Sequence, residues 1–190
     1  MANTDNPCGF KPMNMAGLRP PTKYRIAADY SEDIFIGQPV SLSGGYAIIA
    51  TAGTDNTLLG IAAYFENITQ GMKGGGYYPD DSSDEWVVYV WDDPHTRFIA
   101  QDDGAGNDIA LTDIGNTGNF IGTHAGNTDT NISGAELDGS SFDAGQAVTD
   151  QFRLVDLVDK PGNDVGDNAE WVVEIHNHVY RQESNVDATS

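Results

Sequence analysis

The sequence predicts an all-β protein: an antiparallel β-sandwich or barrel-like body with an extended N-terminal arm and long Gly/Asp-rich loops. Three observations carry this. From residue 23 onward, short apolar or alternating runs recur between clusters of Gly, Asp, Asn and Pro, and no internal repeat or heptad interrupts them. The last of these runs alternates cleanly, as a half-buried strand does. A single cysteine, Cys8, excludes an intrachain disulfide framework, so the fold must rest on its core, on bound ions or on neighbouring subunits. With 190 residues and 39% apolar composition, one main body plus an appendage is the expected organisation.

Residues 1–23 read as the arm, because Pro7, Gly9, Pro12, Gly17, Pro20 and Pro21 break any helix or central strand. Phe10, Met13, Met15 and Leu18 are apolar anchors within it, suited to a segment that orders on another surface. Residues 24–181 form a single β-rich body, and 182–190 a frayed tail. Strands are expected at 23–28, 34–36, 39–42, 46–51 and 58–65. A hairpin then joins 86–91 to 96–100 through Asp92-Asp93-Pro94-His95, because Pro fixes φ and Asp caps neighbouring N–H groups. Both faces of 86–91 are apolar, which places it between two layers or at a subunit interface.

Residues 102–150 are a loop-rich insertion of Gly, Asn, Asp, Thr and Ser, with one short helix expected over 108–114. Strands at 152–158 and 170–180 close the body. In the last, Trp171, Val173, Ile175 and Val179 face one way and Glu174, His176 and His178 the other.

The formal net charge is -20, from 29 acids against 9 Lys and Arg. The signs are separated. Four of the nine basic residues, Lys11, Arg19, Lys23 and Arg25, fall in the first 25 positions beside one acid, Asp5, so a basic arm is joined to an acidic body. Such a body is repelled by nucleic acid and anionic lipid, so neither is an expected partner. The first 25 residues hold no apolar run of signal-peptide type, and the longest purely apolar stretch, 86–91, is far short of the roughly twenty residues of a membrane helix. A protein made in the cytoplasm follows.

Catalytic motifs do not emerge. The sequence has no Gly-x-Ser-x-Gly elbow, no phosphate-binding Gly loop and no His-Glu-x-x-His. Cys8 lies where nothing rigid would hold a base against it, so the expectation is a non-enzyme without cofactor. Two weak metal candidates exist. Glu174, His176 and His178, with Glu183 beyond, share a strand face, similar to the first half of the cupin metal motif. Glu170 stands where that motif has Gly, and its second half has no counterpart, so a solvated polar face is the preferred reading. Asp102, Asp103 and Asp108 sit in an Asp/Gly-rich loop of the kind that wraps calcium, though without a terminal bidentate Glu; an ordinary acidic turn is preferred.

Three stretches carry a family resemblance: Asn6-Pro7-Cys8-Gly9-Phe10-Lys11-Pro12; Val90-Trp91-Asp92-Asp93-Pro94 running into Phe98-Ile99-Ala100-Gln101; and Phe152-Arg153-Leu154-Val155 with Trp171-Val172-Val173-Glu174-Ile175-His176-Asn177-His178. Together they resemble a family of small structural proteins of aquatic tailed bacteriophages, taken as capsid decoration or cement proteins. The likeness covers both ends and the middle but little of 104–149.

The resemblance implies a virion protein on the outer capsid surface, bound to the major capsid protein as a homotrimer at local three-fold axes, with a terminus clamped over subunit joints. The residues assigned to that contact are Phe10, Lys11, Met13, Met15, Leu18, Arg19, Lys23 and Arg25. The alternative is a carbohydrate- or host-surface-binding module, calcium-dependent in one form, with Trp91, Tyr77 or Tyr78 as stacking platforms. Aromatic residues in strands are more often core, and these three are read so.

Overall fold

The structure, a computed structural model, describes residues 3–13, 19–81, 83–106, 109–122, 125–144 and 147–181. Along the chain run β1 (Lys11–Pro12), β2 (Thr22–Arg25), β3 (Ile34–Phe35), β4 (Pro39–Ser43), β5 (Tyr46–Ile49), β6 (Gly60–Asn67), β7 (Met72–Gly75) and β8 (Tyr77–Tyr78). There follow β9 (Trp86–Trp91), β10 (Arg97–Gln101), β11 (Thr117–Gly118), β12 (Phe120–Ile121), β13 (Glu136–Leu137), β14 (Phe152–Leu157) and β15 (Glu170–Ile175). Two short 3-10 turns and no α-helix accompany them among the described residues.

The strands build an antiparallel sandwich. One sheet has five strands in the order β1-β10-β15-β14-β11. The other has six, in the order β2-β9-β6-β4-β5 with β7 also paired to β6, and the pairs β12-β13 and β3-β8 stand apart. The end strands β2 and β5 approach each other, but no ladder joins them, so the six-stranded sheet is curled and open rather than a barrel.

The strand period of two explains how one sheet serves two cores. Ile61 and Trp91 are cross-strand partners, and both pack on the cluster centred on Phe98, Phe152, Trp171 and Val173 of the five-stranded sheet. Ala62 and Val90, the next pair along, point the opposite way into a second cluster with Val40, Phe65 and Val88. The strand apolar on both faces therefore lies between two layers. Burying each such aliphatic or aromatic side chain is worth roughly 1.5–3 kcal/mol before conformational entropy is counted.

Several expectations are corrected. The segments 86–91 and 96–100 do not form a hairpin: β9 pairs with β2 and β6, whereas β10 pairs with β1 and β15. The Asp turn chemistry does operate, with Thr96 N–H donating to Asp93 O at 2.9 Å and His95 N–H to Asp93 Oδ1 at 3.0 Å. Both flanks of β9 are already filled, however, so the chain leaves the turn for the other sheet. Instead of a helix over 108–114 there is only a 3-10 turn, Leu111–Asp113. The stretch 102–150 is loop-rich, yet Ile109, Phe120, Leu137 and Phe142 from it are buried in the first core.

Residues 3–13 are no free arm. Asn3 Nδ2 donates to Asp164 O at 2.8 Å, and Gln101 Nε2 to Thr4 O at 2.8 Å, while Gln101 Oε1 accepts from Asn6 N–H at 2.9 Å. Gly9 and Gly37 then meet back to back. Both have positive φ (64° and 82°), and a Cβ on Gly9 would lie 2.8 Å from Gly37 O, so glycine is required where Phe10 N–H donates to that same carbonyl at 2.9 Å. That fastening drops Phe10 into the core.

Candidate functional site

The basic residues assigned to the partner contact fall on β1, on β2 and just before β2. β1 is the edge of the five-stranded sheet and β2 an end of the six-stranded one, so Lys11 stands on one sheet and Lys23 and Arg25 on the other, with Arg19 ahead of β2. Lys11, Arg19, Lys23 and Arg25 are all exposed. Lys23 and Arg25 alternate onto the face of β2 that meets Tyr89 and Val87. Lys23 Nζ lies 3.4 Å from Glu66 Oε2 and 5.9 Å from the centre of the Tyr89 ring, which also donates its hydroxyl to Glu66 at 2.9 Å. That contact raises the Tyr89 pKa, because an acceptor carboxylate opposes phenol ionisation.

The apolar members of the set divide. Phe10 is only 1% exposed, stacked on Phe152 at 4.5 Å and edge-on to Phe120 at 6.4 Å, so it is a core residue and not a docking anchor. Met13 is 41% exposed and stays available. Met15 and Leu18 lie outside the described residues.

A groove of about 580 Å³ is lined by residues of both sheets and their flanks, among them Pro12, Pro21, Ile36, Ala63, Tyr64 and Trp91. A bulge in β6 between Ala62 and Tyr64 shifts the register and turns Tyr64 out, stacked on Tyr89 at 4.2 Å. A second concavity of about 610 Å³ adjoins it, lined by Asn6, Asn127, Thr130 and Ser133 and sharing Cys8, Lys11 and Ile132 with the first. Tyr64 is missed by sequence reasoning, because a bulge leaves no signal in a run as plain as Gly-Ile-Ala-Ala-Tyr-Phe.

Of the three aromatic platforms, Trp91 alone lines this groove. Tyr78 is buried, with its hydroxyl donating to Tyr30 O at 2.8 Å, and Tyr77 stacks on Phe35 at 5.0 Å. The metal candidates do not converge. β15 ends at Ile175, so the strand alternation lapses before His178, which is wholly buried while Glu174 and His176 remain at the surface of the sheet. His178 Nδ1 accepts the Tyr180 N–H at 3.0 Å, and burial holds its pKa below the usual histidine value.

Asp102 is likewise committed to the backbone, accepting from Gly104 N–H at 2.7 Å and Ile109 N–H at 3.3 Å. Asp103 Oδ1 accepts from Gly139 N–H at 3.3 Å, and Asp108 lies outside the described residues. Among the described residues no group of three or more His, Cys, Asp or Glu is placed to hold a metal ion.

No protein-family model, curated protein or solved structure matches the chain.

Proposed function

We propose that this chain is a non-enzymatic structural protein of a tailed-phage head, binding the outer capsid surface and stabilising the shell. One observation carries the reading: on a molecule of net charge -20, Lys11, Arg19, Lys23 and Arg25 are all exposed and all fall within residues 11–25, on β1, on β2 and just before β2. A stretch of inverted sign orients an acidic body on its partner. The resemblance of the three stretches to decoration proteins suggests the partner, the major capsid protein, and the homotrimeric form at three-fold positions. Binding only the assembled shell stabilises it by mass action, more so when contacts span several subunits.

The contact is made by a seated surface rather than by a loose arm. Deleting the first 23 residues would remove Phe10 from the core, so charge reversal is the sound test. Purified protein is sedimented with bare capsids, alongside the Arg19→Glu/Arg25→Glu variant, and the shells are then heated. Binding by the parent, at least about tenfold weaker binding by the variant, and heat resistance only of decorated shells are expected. Absence of capsid binding by the parent, with chelator-sensitive binding to glycans, would replace this reading by the carbohydrate-binding one.

A further inference from the structure

We infer that the groove beside Trp91 takes an extended peptide segment of the protein partner, with apolar residues followed by an acidic stretch. This rests on the head-binding reading for the partner's identity, but its chemistry comes from the surface itself.

The first concavity offers Ile36, Ala63, Tyr64 and Trp91 with Pro12 and Pro21, and its volume is within the ~300–1,000 Å³ typical of ligand sites. A sugar would bring hydroxyls that this wall leaves largely unpaired, which opposes its binding. Apolar side chains bring no such cost. The second concavity is different: the polar residues Asn6, Asn127, Thr130 and Ser133 are among those that line it. Because the two share Lys11, together they form a footprint that begins apolar and ends polar, the shape of a chain rather than of a compact ligand.

Charge sets the polarity of that chain. The protein carries 29 Asp and Glu, yet none lines either concavity among the described residues, and the shared Lys11 is exposed on the divide. A surface kept clear of carboxylates in so acidic a molecule is complementary to an acidic segment. Nucleic acid, the other anionic chain, is disfavoured by the charge of the whole body.

The test uses two short fluorescein-labelled peptides, each a run of leucine and proline followed by two glutamates in one and two lysines in the other. Fluorescence anisotropy with the full chain should show the glutamate peptide binding at least about tenfold tighter. Lys11→Glu should remove or reverse that preference, and Lys11→Arg should keep it. Ala63→Glu, which puts a carboxylate in the apolar part, should abolish binding; if that variant does not fold, the exposed Lys11 pair decides alone.

Trp86 and Trp171 are buried, so protection from acrylamide quenching on peptide binding reports Trp91. Equal binding of the two peptides, binding of neither, or indifference to Lys11→Glu overturns the inference. Capsid sedimentation of the same variants separates the two readings. Capsid binding unaffected by Lys11→Glu and Ala63→Glu, with no peptide binding, removes the groove and keeps the head assignment. The stated peptide preference without capsid binding by the parent removes the head assignment and keeps the groove.

Discussion

Replacing Phe10 by alanine separates a seated N-terminus from a free one. In a free arm this substitution would change stability by no more than about 0.5 kcal/mol, as surface changes do. Here the ring is 1% exposed, lies parallel to Phe152 at 4.5 Å and meets Phe120 edge-on at 6.4 Å. Truncating a buried phenylalanine costs about 3–5 kcal/mol, including the cavity left behind and the lost ring contacts. For a chain of this length, that corresponds to a fall in melting temperature of roughly 6–20 °C. Equilibrium urea denaturation followed by tryptophan fluorescence gives the free energy, and calorimetry gives the temperature. Met13→Ala, at a position 41% exposed, is the control and should be near neutral. A loss below about 0.5 kcal/mol for Phe10→Ala would refute the placement of β1 and everything built on it.

Two further outcomes follow from buried polar groups. The pKa of His178 is depressed in the folded protein, so the unfolded chain binds more protons; its contribution to stability is complete above about pH 6.5 and is lost as pH falls through the folded value. Denaturation measured from pH 7.5 downward should therefore show a shallower loss of stability for His178→Gln than for the parent over the first pH unit below 6.5, and identical slopes would refute the assignment. Asp102→Ala should cost about 1–3 kcal/mol by leaving the N–H groups of Gly104 and Ile109 without their acceptor. Adding a calcium chelator to the parent should leave its melting temperature unchanged; a marked fall would show that the carboxylate serves an ion instead.

The sequence is legible where strands are long and dense in β-branched and aromatic residues. The segments read as strands at 86–91, 152–158 and 170–180 hold β9, β14 and β15, because closely spaced Val, Leu, Phe, Trp and Ile fit little else, though the last strand stops at Ile175. Two-residue strands such as β11, β12 and β13 escape, since their pairing is fixed by distant partners rather than by local composition. Pairing itself is harder still: the Asp92–His95 turn looks like a hairpin locally, and only the occupancy of both sides of β9 forbids it. Phe10 misleads for a related reason, because prolines and glycines around it mark an irregular backbone without saying whether that backbone is seated. At the candidate site the charges of Lys11, Arg19, Lys23 and Arg25 are plain in the sequence, whereas Tyr64 depends on a bulge and the groove on a junction of both sheets.

The strand order has a consequence for how the chain emerges from the ribosome. Every member of the six-stranded sheet precedes residue 92, so that half has all its ladders as soon as β9 is out. The five-stranded sheet is the reverse: β15, the last of the described strands, is its central one, between β10 and β14. Phe10, Lys11 and Pro12, made long before β15, must therefore wait for it before Phe152 and Trp171 complete the core they close. Such a delay is the price of high contact order. Vectorial synthesis thus yields a half-built sandwich with β1 unfastened, and translation products cut short before β15 would lack the very layer that holds the seam shut.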